Sequence, residues 1–440
     1  MKVVISAGGK GTRISSIASD IPKPMIKIAG MPVLEHEINC LKGQGFKDII
    51  ITVSHLGKII MDYFGDGSKI SPITGKSFGV NIKYFYEKNP LGTAGALFKL
   101  KDKLTDDFLL LNADAIFDVD FNRFVKFHKE NGGIITLFTH PNSHPYDSGL
   151  IISDENNRVK QWLSKEDERP LYYKNRVNAG LHVISPKVLK KEFDTPKIDL
   201  DRQIIKPLIE TGKIVTYDSP EYVKDMGTPD RYYSVIKDFE EGIVESKNLK
   251  NKQKAIFLDR DGTINKYVGF LKEIDQFELI SGADDAIKLI NQLGYLAIVI
   301  TNQPVIARGD ITVEELNDIH NKMETLLGKS GAYLDGIYYC PHHPDKGFER
   351  EIPELKFDCD CRKPKPGLLI KAAKDFNIDL ENSWMIGDSI ADIQAGKSAG
   401  CKTALIGTES LNCEDILEKD LLEAVLKIIS MEQKKQSSII

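Results

Sequence analysis

The sequence predicts an α/β protein of two domains, each an open sheet of buried strands with helices on both faces. Short runs rich in Val, Ile and Leu alternate with amphipathic stretches along the chain, which implies parallel sheets covered on both sides. The pattern restarts near Lys254. The length of 440 residues exceeds what one ordinary core organises.

In order, the expected strands are Val3–Ser6, Ile49–Val53, Phe108–Asn112, Ile134–Thr139, Ala255–Leu258, Ala297–Thr301 and Trp384–Ile386. Helical spacing marks Pro32–Gln44, Thr312–Leu327 and Lys365–Phe376. A charged stretch, Tyr232–Lys252, runs into a Lys- and Asn-rich segment that reads as a solvated linker. The expected boundaries are 1–240 for the first domain, 241–253 for the linker, 254–430 for the second domain and 431–440 for a frayed tail.

With 41% hydrophobic and 28% charged residues the composition is that of a globular protein. A net charge of -5 gives no global field for nucleic acid or an anionic membrane. The opening apolar run is too short for a signal-peptide core, and no stretch approaches the roughly 20 apolar residues of a membrane span. The expectation is a cytoplasmic enzyme whose partners are small molecules, and the sequence leaves a homo-oligomer open. Of the six cysteines, Cys340, Cys359 and Cys361 cluster beside His342 and His343, which reads as a metal site rather than a disulfide framework.

Ligands of such sheets gather where strands end. The first strand runs into Ser6-Ala7-Gly8-Gly9-Lys10-Gly11-Thr12-Arg13. Here glycines let the backbone approach an anion and Arg13 adds a planar phosphate donor. The spacing fits neither the dinucleotide nor the Walker pattern. Pro22-Lys23-Pro24-Met25 follows, a lysine held between prolines.

These motifs resemble the nucleotidyltransferase family that makes nucleoside-diphosphate sugars. The likeness continues in Pro90-Leu91-Gly92-Thr93-Ala94-Gly95, Leu111-Asn112-Ala113-Asp114, Asn178-Ala179-Gly180 and Asp225-Met226-Gly227-Thr228-Pro229. The resemblance implies a Rossmann-like sheet and in-line attack of a sugar phosphate on a nucleoside triphosphate. In that reading Ala7, Gly8, Gly9, Gly11, Thr12, Gly92 and Thr93 cradle the nucleotide. Asp114 and Asp225 hold Mg²⁺, Lys23 and Arg13 stabilise phosphate charge, Asn178 contacts the sugar and Lys165 reaches the sugar phosphate. Both reactants are anions, so such catalysis is mainly charge neutralisation and alignment.

In the second half, Ala255–Leu258 ends in Asp259-Arg260-Asp261-Gly262-Thr263, two carboxylates on one side of a strand tip. One of them can attack phosphorus while the other moves protons. Thr301-Asn302-Gln303, Arg362-Lys363-Pro364 and Gly387-Asp388-Ser389 follow, with Asp392 close behind. The ordered set resembles the haloacid-dehalogenase superfamily of phosphatases and implies its parallel sheet. By that resemblance Asp259 is the nucleophile and Asp261 the acid and base. Thr301, Asn302, Arg308, Arg362 and Lys363 meet the substrate, and Asp259, Asp261 (through its carbonyl) and Asp388 hold Mg²⁺. Asp392 stands between support for the metal site and a helix N-terminal charge.

Cys340, His342, Cys359 and Cys361 make a closed tetrahedral set suited to structural Zn²⁺, with the Cys-x-His spacing favouring His342 over His343. This loop and Ile306-Ala307-Arg308-Gly309 resemble the heptose-bisphosphate 7-phosphatases within the superfamily. Such a phosphatase yields heptose 1-phosphate, which a sugar-1-phosphate nucleotidyltransferase consumes. The expectation is therefore a bifunctional enzyme that removes the 7-phosphate of heptose 1,7-bisphosphate and transfers GMP from GTP to heptose 1-phosphate. The alternatives are another sugar with an unrelated phosphomonoester, or one half acting as a sugar-nucleotide sensor.

Overall fold

The computed structural model describes residues 1–9 and 20–437. It divides into two compact units. The first comprises Met1–His140, Gly149–Ser164 and Arg176–Asn248; the second comprises Pro141–Ser148, Lys165–Asn175 and Leu249–Ile440. Among the described residues no helix is long and apolar enough to cross a membrane.

The first unit is built on a nine-stranded sheet. Asn81–Tyr86, Asp48–Val53, Val3–Ser6 and Phe108–Asn112 lie side by side and parallel, the runs of Ile, Leu and Val in the last three buried from both faces. Beyond them the sheet is mixed, with Ile214–Asp218 parallel to Ile135–His140. Val177–Ile184 joins Phe108–Asn112 antiparallel and also pairs with Ile135–His140 and Leu150–Ser153. The last of these forms a hairpin with Val159–Leu163 across a turn at Asn157, whose φ is +59°. The helix Val33–Gly43 packs its apolar side on one face with Phe121–Asn131, capped by the Asp120 carboxylate, which accepts from the Arg123 N–H. A separate ribbon pairs Ala115–Asp118 with Tyr222–Asp225.

The second unit has a six-stranded, wholly parallel sheet. Its order is Gly336–Cys340, Leu296–Asn302, Ala255–Leu258, Trp384–Gly387, Lys402–Ile406 and Ile416–Glu418. Ala255–Leu258 pairs with the next strand in sequence on one side and with a much later one on the other. Val3–Ser6 does the same in the first unit, between Asp48–Val53 and Phe108–Asn112. Each first strand thus lies at a topological switch point, where the crevice beyond the strand ends receives ligands.

The second unit is not continuous in sequence. Two loop segments contributed by the first half of the chain lie on the helix Val313–Lys329. The Asn175 N–H donates to Glu324 Oε2 at 2.6 Å, and the Tyr173 N–H donates to Thr325 Oγ1 at 2.9 Å. Arg169 ties the two segments together by donating to the carbonyls of Pro145 and Ser148. The segment expected to be a solvated linker is held instead. Lys247, Asn248 and Leu249 are buried, Asn248 donates to Asp118, and Asn377 donates to the Leu249 carbonyl. At the other end, the helix Leu421–Ser437 continues through most of the expected tail, with Glu432 between Lys254 and Lys402 at 3.5 and 3.6 Å.

Candidate active sites

In the first unit the Ala7 N–H donates to the Thr52 carbonyl, which carries the chain straight off the strand, and Ser54 donates to the Gly8 carbonyl. Gly8 and Gly9 open the glycine loop. Gly11, Thr12 and Arg13 lie outside the described residues. Lys23, first residue of a short 3-10 turn after Pro22, donates to Asp114 Oδ2 at 3.2 Å.

Asp114 and Asp225, far apart in sequence, are brought together by the two-stranded ribbon. Asp225 lies opposite Ala115, and the Met226 N–H donates to the Asp114 carbonyl at 3.1 Å. Arg231 grips both oxygens of Asp225 at 3.0 and 2.8 Å, a partner that sequence reasoning missed although it follows the Gly227-Thr228-Pro229 motif directly. The Gly92–Gly95 segment is laced to a neighbouring strip. The Ala94 N–H donates to the Ile198 carbonyl, and the Leu200 N–H donates to Thr93 Oγ1 at 2.7 Å. Asn178 sits in a strand irregularity with its amide oxygen accepting from His182 Nε2 at 3.1 Å. Burial pulls the His182 imidazole down to about 4, so it is neutral and acts as a fixed donor. Lys165, expected at the sugar phosphate, is exposed in a segment that belongs to the second unit.

The second unit assembles its site around one buried lysine. Lys363 Nζ donates to Asp259 Oδ1 at 2.6 Å and to the Ile300 carbonyl at 2.7 Å, and pairs with Asp392 Oδ1 at 2.6 Å. Burial is the main force raising the Asp259 carboxyl to about 7, against the pull of Lys363, with Asp392 and Asp261 adding to the rise. Asp388 is raised to about 6, again first by burial and then by Asp392. Asn302 clasps the Lys363 loop from the next strand, donating to the Lys363 carbonyl and accepting from its N–H, both at 3.0 Å. Gly262 has φ +90°, and a Cβ there would lie 2.0 Å from Asp388 Oδ2, so only glycine lets the two loops approach.

Asp392 is fully buried. Its other oxygen caps the helix Ile390–Ala399 by accepting from Ser389 N–H and Oγ–H. The sequence left Asp392 between metal-site support and a helix N-terminal charge; here it forms a capping box with Ser389, and the same carboxylate anchors the lysine. Asp261 lines the cleft over this cluster but has partners of its own. Its carboxylate accepts two bonds from Arg260 Nη2, at 2.9 and 2.8 Å, and one each from Asn265 and Gln303. Arg260 is wholly buried and also reaches His320 Nε2. None of these supports carries a sequence signal beyond the Asp-Arg-Asp string itself.

A cleft of about 330 Å³ opens over the cluster, lined by Asp259, Asp261, Thr301, Arg362, Lys363 and Asp388 among others, with Tyr267 and Phe270 along its rim. Arg308, expected against substrate, does not line it. Its guanidinium is stacked between Phe270 and Phe348.

Oxygens of Asp259, Asp388 and Asp392 lie within 4.8 Å of one another, a set able to hold a hard cation. Ligand atoms of Cys340, His342, Cys359 and Cys361 converge equally closely. The sulfurs are 3.2–3.4 Å apart, well beyond a disulfide of about 2.05 Å, and His342 turns Nδ1 to Cys361 at 3.2 Å. His343 instead accepts from the Asp345 N–H, which singles out His342 as the fourth donor. Three thiols and an imidazole around one point are the donor set of a tetrahedral soft metal.

Residues 2–242 match the model of the nucleotidyl transferase family, and residues 360–426 match the HAD-hydrolase-like family. The second half is also 47% identical, over 165 residues, to the D-glycero-beta-D-manno-heptose-1,7-bisphosphate 7-phosphatase of Pasteurella multocida (strain Pm70). That alignment spans 37% of this chain and 86% of the relative. The chain belongs to the nucleotidyl transferase family in its first half and to the HAD-type phosphatases in its second. The 7-phosphatase of Escherichia coli (strain K12) is 44% identical over 152 residues, covering 34% of this chain and 78% of the relative. Among solved structures, HddC from Yersinia pseudotuberculosis covers 54% of this chain and 99% of its own at 26% identity, with a TM-score of 0.45.

Two outcomes are expected from this geometry. Asp392→Asn removes one of two anions holding Lys363, so phosphate release should fall by about 10²-fold or more while nucleotidyl transfer is unchanged, as steady-state assays of each reaction would read. His182 is neutral in the fold but takes a proton below about pH 6.5 when unfolded. Stability should therefore fall as pH falls from about 6.5 to 4, by on the order of 3 kcal/mol in total. Urea unfolding followed by Trp162 fluorescence in a Trp384→Phe background would measure it, and His182→Gln should flatten the slope.

Proposed function

We propose that the chain catalyses two consecutive steps of nucleotide-activated heptose synthesis. It removes the 7-phosphate of heptose 1,7-bisphosphate, then transfers GMP from GTP to the resulting heptose 1-phosphate, giving GDP-heptose and pyrophosphate. The observation that carries the reading is the match to 7-phosphatases over 86% of a relative's length. It is joined in one chain to a nucleotidyl transferase half.

In the phosphatase step Asp259 attacks phosphorus and forms an aspartyl-phosphate while the sugar oxygen leaves. Lys363, fixed by Asp392 and the Ile300 carbonyl, faces the transferring phosphoryl group with Thr301 and keeps Asp259 oriented. Asp261, swung from Arg260, gives its proton to the leaving oxygen and later takes one from the water that cleaves the aspartyl-phosphate. Mg²⁺ held by Asp259, Asp388 and the Asp261 carbonyl would offset phosphate charge when bound. In the transferase step the sugar phosphate attacks the α-phosphorus of GTP in line. Lys23 sits at the phosphates beside Asp114, Asp114 and Asp225 supply a cation site, and Asn178, aimed by His182, meets the sugar. Cys340, His342, Cys359 and Cys361 would hold Zn²⁺ in a structural role, since the four protein donors would fill a tetrahedral shell. Cys361 lies two residues before Lys363, so a metal held there would also steady the lysine loop.

The test is a coupled assay with heptose 1,7-bisphosphate, Mg²⁺ and each of GTP, ATP, UTP and CTP, following phosphate, pyrophosphate and nucleotide sugar. Phosphate release with GDP-heptose from GTP alone is expected; no phosphate release would sink the reading. Protein purified without chelator should carry about one zinc per chain by elemental analysis, and a value near zero would remove the metal from the loop.

A further inference from the structure

In the proposed reaction Asp259, Lys363 and Thr301 face the phosphoryl group, and the rest of a sugar would extend from them toward the cleft mouth. The outer rim there is the Tyr267–Leu271 loop, with Tyr267 and Phe270 largely exposed. A loop with exposed aromatics needs an anchor, and Arg308 provides one. Its guanidinium carbon lies 4.1 Å from the centre of the Phe270 ring and 4.3 Å from that of Phe348. Lys356 Nζ lies 4.5 Å from the centre of the Phe348 ring. Aromatic and cation alternate through four residues, from the cleft rim into the segment between the metal-loop cysteines.

Each end of this stack is tied down separately. Glu351 accepts from the N–H groups of Gly347 and Phe348 and lies 3.8 Å from Lys356 Nζ. The Ile352 N–H donates to the Ala307 carbonyl, and Gly309, at φ +69°, lets the Arg350 carbonyl come so near that a Cβ would sit 1.8 Å from it. On the rim side Asp310 bridges Arg308 at 3.3 Å and Lys272 at 2.9 Å. Cation–π contacts strengthen as they lose water, and Arg308 is largely covered.

We propose that Arg308 is a positioning residue. Gripped between Phe270 and Phe348, it fixes the rim that meets the part of a sugar bisphosphate remote from the bond being cut. The inference rests on the phosphatase reading above and assigns to Arg308 a task other than direct substrate contact.

Phe348→Leu in the full-length, magnesium-loaded protein tests it, because Phe348 neither lines the cleft nor belongs to the Cys340, His342, Cys359 and Cys361 set. The KM for heptose 1,7-bisphosphate should rise about fivefold with kcat within about twofold of the parent. Hydrolysis of acetyl phosphate, too small to reach the rim, should be unchanged. Chymotryptic cleavage after Tyr267 and Phe270, mapped by mass spectrometry, should quicken several-fold, and Arg308→Lys should give an intermediate KM. Unchanged cleavage at the rim, an unchanged KM, or equal losses on both substrates would each overturn the proposal. An Arg308→Lys near the parent beside a silent Phe348→Leu would make Arg308 a direct ligand instead. If the parent itself releases no phosphate from the bisphosphate, the heptose reading fails, and rim cleavage still decides whether the stack holds the loop.

Discussion

The second unit depends on one buried ammonium group. Lys363 is buried, and two carboxylates and a carbonyl surround its ammonium group. Removing an ion from water costs several kcal/mol even in relaxed proteins, so each of the three partners must be in place. That requirement fixes much of the surrounding architecture. The Ile300 carbonyl comes from the strand beside the nucleophile, Asp392 from the first turn of a helix on the far side, and Asp259 from the central strand. Burial works against the charged ammonium and the paired Asp259 and Asp392 carboxylates hold it charged, while burial also lifts Asp259 and Asp388 above the usual carboxylate range. A cluster with this shared proton inventory is poised for an anionic substrate and a cation to enter together.

The first unit solves a similar problem without a buried cluster. Asp114 and Asp225 are both partly exposed, and each is already paired, with Lys23 and Arg231 respectively. Exposed pairs contribute little to stability, so these partners can be exchanged for ligand at small cost. The order comes from the backbone. A two-stranded ribbon sets the two aspartates opposite one another, and the Ile198 strip pins the segment after Pro90.

The motifs were legible because they sit where strands end, and a strand end is a local feature of sequence. Asp259, Asp388, Lys363 and the cysteine set converge as their residue types require. What was not legible depends on three-dimensional pairing. The antiparallel entry of Val177–Ile184 follows from a hairpin around Asn157 that carries no strong turn pair such as Asn-Gly. Arg308 sits in a motif shared with phosphatases, yet its partners Phe270 and Phe348 lie in loops that no periodicity describes. Lys247 to Leu249 read as solvated because charge dominates their composition, whereas Asn248 and Asn377 satisfy backbone and side-chain groups that allow burial. Asp392 read as either metal-site support or a helix N-terminal charge, and its grip on Lys363, a contact between residues of different loops, was not legible.

The discontinuity of the second unit bears on how the chain comes into being. The polypeptide passes between units after His140, Ser148, Ser164, Asn175 and Asn248. Tyr173 and Asn175 therefore leave the ribosome well before the helix Val313–Lys329 that receives them exists. At about 5–20 residues per second, that wait is on the order of ten seconds. During translation the transferase sheet can close around its own strands while two of its loops stay open for a guest. A gene cut at the Asn248–Leu249 junction would yield a phosphatase that had never met those loops, so the two activities share an assembly history as well as a reading frame.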